Sequence, residues 1–595
     1  MLFVHRLLIL RLLILLVCLV FVGRLAFLQL LHGDALRHDS ERNRQRWVRI
    51  AAPRGLIVDR QQRVLAANVP GHVVWLVPGE VPRTGWDDLT TRLVALGIFP
   101  DRATAVDTLE EARRYPSYLP VRLLSGLDIA MISRLEEQQA FLPGIFLRDE
   151  PLRSYPEGKR ASHLLGYLRE IDATELAARR SLGYHGGDPI GKAGLERAFE
   201  EELRGADGGQ QVEVDVHGRI QRVVQETAPQ PGQSVTLTLD LDMQRVAEEA
   251  LSGHRGAAVA LDPRTGDILA LASAPSFDLN QMTGRITPEM MQFLRGPDAP
   301  ELNRATAGQY PPGSVFKIVT AAAVLETQQI QPNEFFFCDG SYHGIRCSKH
   351  SGHGSLSFTE AMAQSCNVAF MKMAERAGIE ELGQMARRFG LGQPVPILPA
   401  IEVATGKNGH AGIVPEVDGV VPGPAWERKK HHRPWELGET LQVGIGQSSL
   451  SITPLQGARI IAAIANGGKL VQPRLVQRVG EYPVESGQPE AIGLSAHTVQ
   501  RIAAGLRAVV AEGTAKSLDP ALHIAGKTGT AQNPGGEDHA WFVGYAPREA
   551  PKIAVAVLIE HGGHGGATAA PIAQSIIRVA LQGPPKVEKP GEKGH

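Results

Sequence analysis

The stretch Ser314-Val315-Phe316-Lys317 is, by itself, a common tetrapeptide. Two later stretches, Ser365-Cys366-Asn367 and Lys527-Thr528-Gly529, give it chemical meaning. Residues 315–325 read as a helix, and Pro311-Pro312-Gly313 leads into it, so Ser314 is expected at the helix N-terminus. Free N–H groups and the helix dipole there favour developing negative charge. Positions i and i+3 share a helix face, which puts Lys317 beside Ser314. A serine hydroxyl becomes a useful nucleophile once a neighbouring base takes its proton. Lys317 serves as that base only when neutral, and burial near a cation such as Lys527 lowers its pKa. Taken alone, the tetrad reads more simply as a helix cap followed by a solvated lysine, and only the other two motifs reverse that.

The other two stretches fit the same chemistry. Ser365 and Asn367 sit against Val368, Ala369 and Phe370, and a polar pair on an apolar element satisfies itself by lining a site. The plain alternative for Ser365 is a helix N-cap. Lys527-Thr528-Gly529-Thr530 follows His523-Ile524-Ala525-Gly526 and reads as an exposed edge strand that can pair with an extended peptide. Lys527 and the hydroxyls of Thr528 and Thr530 suit a terminal carboxylate, and Gly529 removes a side chain where a ligand comes close. The amides of Ser314 and Thr530 are the expected oxyanion hole.

Outward from these motifs, the chain has 595 residues, 43% of them hydrophobic and 21% charged, as expected of a globular chain with more than one domain. The 62 basic and 63 acidic residues nearly cancel, which leaves no electrostatic footprint for nucleic acid. The run Lys429-Lys430-His431-His432-Arg433 lies among prolines and reads as a solvated loop.

From Leu7 to Leu31 the chain is almost wholly apolar, long enough to span a bilayer as one helix. Arg6 and Arg11 favour a cytoplasmic N-terminus, and Arg24 reaches back toward the far interface. A cleaved signal peptide is the alternative, but Gly23-Arg24-Leu25-Ala26-Phe27 offers no small-x-small cleavage site. An uncleaved anchor is expected, with the rest of the chain outside the cytoplasm. A polar exit helix is expected over 39–46.

Between 52 and 66, two short strands flank a turn. Helical patterns at 89–96, 105–114 and 128–139 follow, with another at 192–203. Strands are expected at 211–215 and 234–241, and Pro229-Gln230-Pro231-Gly232 is the expected linker. Beyond it, strands are expected at 257–261 and 268–273, and helices at 243–251 and 356–376. An antiparallel meander is expected at 524–530, 541–545 and 553–560, with a closing helix at 573–581. The boundaries are therefore an anchor at 1–31, domains at 32–232 and 233–582, and a disordered tail at 583–595.

With these motifs the chain resembles the class B penicillin-binding proteins, and within them the elongation-type branch. Further shared stretches are Arg54-Gly55-Leu56-Ile57-Val58-Asp59-Arg60, Gly191-Lys192-Ala193-Gly194-Leu195-Glu196, Gly444-Ile445-Gly446-Gln447 and Thr453-Pro454-Leu455-Gln456. The resemblance implies an α/β multi-domain protein. A transmembrane helix and an α+β pedestal would precede a transpeptidase domain whose antiparallel sheet is flanked by helices. It implies D,D-transpeptidation, with Ser314 acylated by the D-Ala-D-Ala end of a peptidoglycan stem peptide and Lys317 as base. Ser365 and Asn367 would move the proton and hold the donor, while Lys527, Thr528 and Thr530 bind its carboxylate. β-Lactams would acylate the same serine, and residual D,D-carboxypeptidase activity would accompany the main one. Implied partners are a membrane glycosyltransferase of the SEDS type and scaffold proteins of the rod complex.

Cys338, Cys347 and Cys366 lie among His343, His350 and His353. In an oxidising compartment they read either as one disulfide with a spare thiol or as a Cys₃His zinc site. The resemblance favours structural zinc on Cys338, Cys347, His353 and Cys366, with Asp339 or His343 as alternatives for the first ligand. Such a metal would brace the loop carrying Ser365 and Asn367 from behind. Three other functions remain to be separated: a hydrolase in which water resolves the acyl-enzyme, a non-catalytic β-lactam receptor, and a division-type transpeptidase. The anchor and long pedestal weigh against the first, and the intact Lys317, Asn367 and Lys527 against the second. The Cys/His insert weighs against the third.

Overall fold

The computed structural model describes residues 2–31, 45–115, 117, 120–214, 220–283, 286–398, 416–533 and 535–584. Two compact units divide the chain, one of residues 1–54 with 204–232 and one of residues 55–203 with 233–595. The units do not follow a single cut at residue 233, because residues 55–203 cluster with the C-terminal part. A sheet explains this. Its strands run in the order Tyr482–Pro483, Val476–Val479, Val235–Leu237, Ile57–Val58, Val64–Leu76 and Val121–Ser125, and Ile145–Ser154 also pairs with Val64–Leu76.

In the first unit, a helix runs Leu2–Ala26, and His5–Leu30 has mean hydropathy 2.7, long and apolar enough to cross a membrane. Strands Gln45–Ile50, Gly208–Val214 and Ile220–Thr227 form a three-stranded antiparallel sheet. Gln45 and Arg46 thus begin a strand and not the expected exit helix, whose residues 39–44 lie outside the described residues. Most of the expected tail, residues 585–595, also lies outside them.

In the second unit, a separate apolar core gathers Val74, Leu76, Leu89, Leu93, Leu109 and Leu135. Two expectations change here. The strand expected to end at Ala66 runs on to Leu76, because Pro70 and Gly71 pair in register with Pro151 and Glu150. The helix expected over 192–203 is two short ones, Gly194–Ala198 and Glu200–Arg204, broken at Phe199.

The central sheet has five antiparallel strands in the order Ile268–Ala274, Gly256–Leu261, Ile553–Ile559, His539–Ala546 and Ala525–Ala531. Every residue of Ile553–Ile559 is buried, so both faces are covered, which is why this strand reads as a continuous apolar run. Helices Leu241–Ala250, Pro454–Ala465 and Ala569–Gln582 pack on the sheet. Ala525–Ala531 is the edge strand, as expected, but it is buried and not exposed. The basic run also differs from a loop: Pro424–His431 is helical, with His432 left-handed (φ 55°) after it. Lys429, Lys430 and His431 remain exposed.

Candidate active site

The serine turn is built from glycines that let backbones meet. Gly313–Val315 forms a 3₁₀ turn, and the α-helix Lys317–Glu326 starts only after it. Ser314 therefore sits one turn ahead of the α-helix, and since i and i+3 also align in a 3₁₀ turn, Lys317 keeps its place below it. Gly313 has φ 52° and donates its N–H to Gly446 O at 2.8 Å. A Cβ on Gly313 would stand 2.5 Å from Thr530 O. A Cβ on Gly446 (φ 78°) would overlap Gly313 O outright. Gln447 Nε2 donates to Thr530 O at 3.4 Å, and Trp541 Nε1 to Pro311 O at 3.0 Å. The serine turn, the edge strand and the Gly446 loop thus hold one another.

The expected helix over 356–376 is interrupted where the chemistry lies. Gly354–Ser357 is a strand, Phe358–Ala363 a helix, and a second helix starts at Asn367, itself broken at Gly378 (φ 74°). Ser365 is left-handed at φ 52°, a conformation costly for a serine and found at over-determined sites. Cys366, and not Ser365, is the N-cap: its Sγ accepts from Ala369 N–H at 3.5 Å. Freed from capping, the Ser365 side chain points to the lysines.

Lys317 is fully buried. Its Nζ donates to Ser365 O at 2.7 Å, Ser365 Oγ at 3.2 Å and Asn367 Oδ1 at 2.7 Å, and none of these bonds reaches Ser314. Lys527, also fully buried, donates to Ser365 Oγ at 2.8 Å and to Thr528 O at 3.1 Å. Ser365 Oγ therefore accepts from both amines, which uses its two lone pairs and leaves its own O–H free to donate into the site. Burial pushes Lys317 down to about 8. Burial first, then repulsion from Lys317, holds Lys527 well below the usual lysine range. The lowering of Lys317 thus comes from desolvation, and the cation–cation repulsion is felt at Lys527. Thr528 is buried, with Oγ1 2.6 Å from Thr514 Oγ1, and Thr530 is half-buried.

Gly529 plays a different part from the one its type suggests. A Cβ there would meet Trp541 Cβ at 2.9 Å, Pro312 O at 3.1 Å and Val315 Cγ2 at 3.1 Å. The missing side chain lets the edge strand press against the serine turn; it does not face the ligand side.

Cys338, Cys347, His353 and Cys366 come together with all four ligand atoms within 4.8 Å of one another. Cys338 ends a strand that pairs with Gly354–Ser357, His353 precedes that partner, and Cys347 follows a small hairpin. His353 Nδ1 lies 3.6 Å from Cys338 Sγ and 3.5 Å from Cys347 Sγ, and Cys347 Sγ lies 3.9 Å from Cys366 Sγ. A tetrahedral zinc at about 2.3 Å from sulfur and about 2.0 Å from nitrogen spaces its ligand atoms by about 3.5–3.8 Å. The donor set fits such an ion. A disulfide needs sulfurs about 2.05 Å apart, and all four cysteines are free. Asn367 Nδ2 donates to Arg346 O at 3.3 Å, which ties the Cys/His hairpin directly to the site.

Sequence reasoning passed over Thr514 and used Gly446-Gln447 only as a shared stretch. No local pattern marks them, since their roles arise from contacts between separate elements.

Residues 256–578 match the penicillin binding protein transpeptidase domain, and residues 49–237 match the penicillin-binding protein dimerisation domain. The chain is 33% identical over 590 residues to the peptidoglycan D,D-transpeptidase MrdA of Acinetobacter baumannii, covering 94% of this chain and 84% of that protein. Its fold is similar to penicillin-binding protein PBP2 of Helicobacter pylori in complex with MreC. There the TM-score is 0.77 and the identity 26%, over 91% of this chain and 99% of that one. It is also similar to a chain of a peptidoglycan synthase complex that coordinates polymerization and crosslinking, with a TM-score of 0.69, 32% identity and 99% of each chain covered. The motifs, both domains and the near full-length match agree: the chain belongs to the class B penicillin-binding proteins of the elongation type.

Proposed function

We propose that this protein cross-links peptidoglycan stem peptides through an acyl-enzyme on Ser314. The observation that carries the reading is the Lys317–Ser365–Lys527 chain, in which one residue from each motif meets in a buried site. The donor's terminal carboxylate binds at Lys527, Thr528 and Thr530 and restores the favourable charge that burial denies Lys527. Neutral Lys317 takes the Ser314 proton as Oγ attacks the penultimate D-Ala carbonyl, and the amides of Ser314 and Thr530 stabilise the oxyanion. The O–H of Ser365 protonates the leaving amine of D-alanine, and Lys317, carrying the proton taken from Ser314, passes it to Ser365 Oγ across their 3.2 Å contact, so both return to their starting states. An amine of a neighbouring stem then attacks the ester, forms the cross-link and returns the proton to Ser314. β-Lactams mimic the donor and stop at the acyl-enzyme.

Cys338, Cys347, His353 and Cys366 would hold a structural zinc, which supplies no step of the reaction and neutralises crowded thiolates while fixing the start of the Asn367 helix. The N-terminal helix anchors the chain in the membrane, and Arg6 and Arg11 at its start support a cytoplasmic N-terminus with the catalytic region on the periplasmic side. The H. pylori complex with MreC and the synthase complex support two kinds of partner, a rod-type scaffold protein and a SEDS-type glycosyltransferase. In a reconstitution with such a glycosyltransferase and lipid-linked precursor, the wild type yields cross-linked muropeptides by mass spectrometry. Ser314→Ala yields polymer without cross-links; cross-links from Ser314→Ala would overturn the reading.

A further inference from the structure

Four residues ahead of Ser314, Tyr310 is pinned at both ends. Its backbone pairs with Ile452 (N–H to O 3.0 Å, O to N–H 2.9 Å), and its phenol donates to Glu560 Oε1 at 2.7 Å. Glu560 caps the central strand Ile553–Ile559, and its side chain is only 7% exposed. The same Oε1 accepts from Arg304 Nε at 2.8 Å, and Arg255 pairs with Oε2 at 2.7 Å. Arg304, 1% exposed, spends its other nitrogens on Ala299 O and Asp298 O. The carboxylate is therefore a fixed, charged post at the end of the sheet; burial first, and then the Glu560 charge, push the Tyr310 phenol well above its ordinary range.

The ring has a berth of its own. It stands edge-on to Trp541, whose indole holds Pro311 O, and to His539. It folds over Gly308, where a Cβ would stand 2.5 Å from Tyr310 Cε2 and 2.7 Å from its oxygen. Between this post and the Gly313–Gly446 bond there are only Pro311 and Pro312, two residues with fixed φ. A stiff four-residue arm thus runs from a buried ion pair to the serine.

We propose that Tyr310, through its hydrogen bond to Glu560, is a positioning residue that sets where Ser314 Oγ lies for attack. It touches neither substrate nor the reacting atoms. Displacement of a nucleophile by about 1 Å can cost about 100-fold in rate. The proposal rests on Ser314 being the acylated residue.

The test uses the full-length protein in detergent and the rate of covalent labelling by fluorescent penicillin. Its concentration dependence separates initial binding from the acylation step. Tyr310→Phe removes only the phenol oxygen, and Gly308→Ala removes no polar group but crowds both the ring and Arg304 O, which a Cβ would approach to 2.7 Å, so it perturbs the same post from the backbone side. Tyr184→Phe is the matched control: it deletes a 2.8 Å phenol–carboxylate bond to Glu200 outside the catalytic site. Tyr310→Phe and Gly308→Ala should each slow acylation about tenfold with binding changed less than twofold. Tyr184→Phe should lower the melting temperature and leave acylation at the wild-type rate. The proposal fails if Tyr310→Phe acylates like wild type, or if Tyr184→Phe slows acylation as much. An unlabelled wild-type protein would instead refute the Ser314 reading itself.

Discussion

Ser365 Oγ lies 2.8 Å from Lys527 Nζ. The same oxygen accepts from Lys317 Nζ at 3.2 Å, so one hydroxyl separates two buried amines. Neither amine can carry its full charge without cost there, and the hydroxyl between them is the one group able to pass a proton while holding both. Ser365→Ala should therefore reduce the acylation step by about 10²–10⁴-fold, the range for losing a positioned proton carrier. Stopped-flow labelling with fluorescent penicillin measures it; a loss below threefold would remove Ser365 from the proton path.

The burial of Lys317 sets the pH dependence. Its pKa is lowered to about 8, and only the neutral amine accepts the Ser314 proton. Below that value each pH unit leaves about tenfold less neutral amine, so the acylation rate should climb with pH and level off above about 8. A rate independent of pH from 6 to 9 would show that Lys317 is not the titrating base.

Gly529→Ala places a methyl 2.9 Å from Trp541 Cβ and 3.1 Å from Pro312 O. Overpacking of this kind costs about 1–3 kcal/mol and drives the edge strand off the serine turn. The variant should melt earlier and label at least tenfold more slowly. Wild-type labelling would mean that the strand and the turn move independently.

The hydroxyl pair Thr514–Thr528, 2.6 Å apart, holds the Thr528 side chain in one rotamer. Thr514→Val removes one hydrogen bond worth about 1 kcal/mol, so initial binding of a carboxylate-bearing β-lactam should weaken about fivefold with the acylation step little changed. A pure acylation defect would contradict this assignment.

The Cys/His cluster predicts one zinc per chain by elemental analysis after purification without added metal. Cys347→Ser should lose the metal, lower the melting temperature and slow labelling, because Asn367 hydrogen-bonds the same hairpin through Arg346 O. Metal-free wild-type protein with full labelling would remove zinc from the account.

Much of the site was legible in the sequence because catalytic residue types are rare in these combinations: Lys317, Ser365, Asn367 and Lys527 share one hydrogen-bonded group, and Ser314 lies on the turn that leads into Lys317. The meander of the central sheet was legible too, from three closely spaced apolar runs. What escaped is mostly backbone. The apolar periodicity runs unbroken through Ser365, so a single helix was the natural reading, while a left-handed residue in fact splits it. A glycine in a motif fits both ligand approach and chain packing; only the neighbours of Gly529 separate the two. Short strands near Ile57–Val58 and Val235–Leu237 were expected, but not that they pair with each other, because segments of two or three residues carry no register information. Gln447 and Glu560 are ordinary residues made important by partners far along the chain, and Thr514 by Thr528 on the edge strand.

The central claim is that Ser314 is the acylated nucleophile. The most direct measurement is peptide mapping by mass spectrometry after reaction of the full-length protein with a β-lactam. The account predicts one adduct per chain, carried by the peptide containing Ser314, and none in Ser314→Ala. An adduct on any other residue, or one that survives in Ser314→Ala, would contradict it.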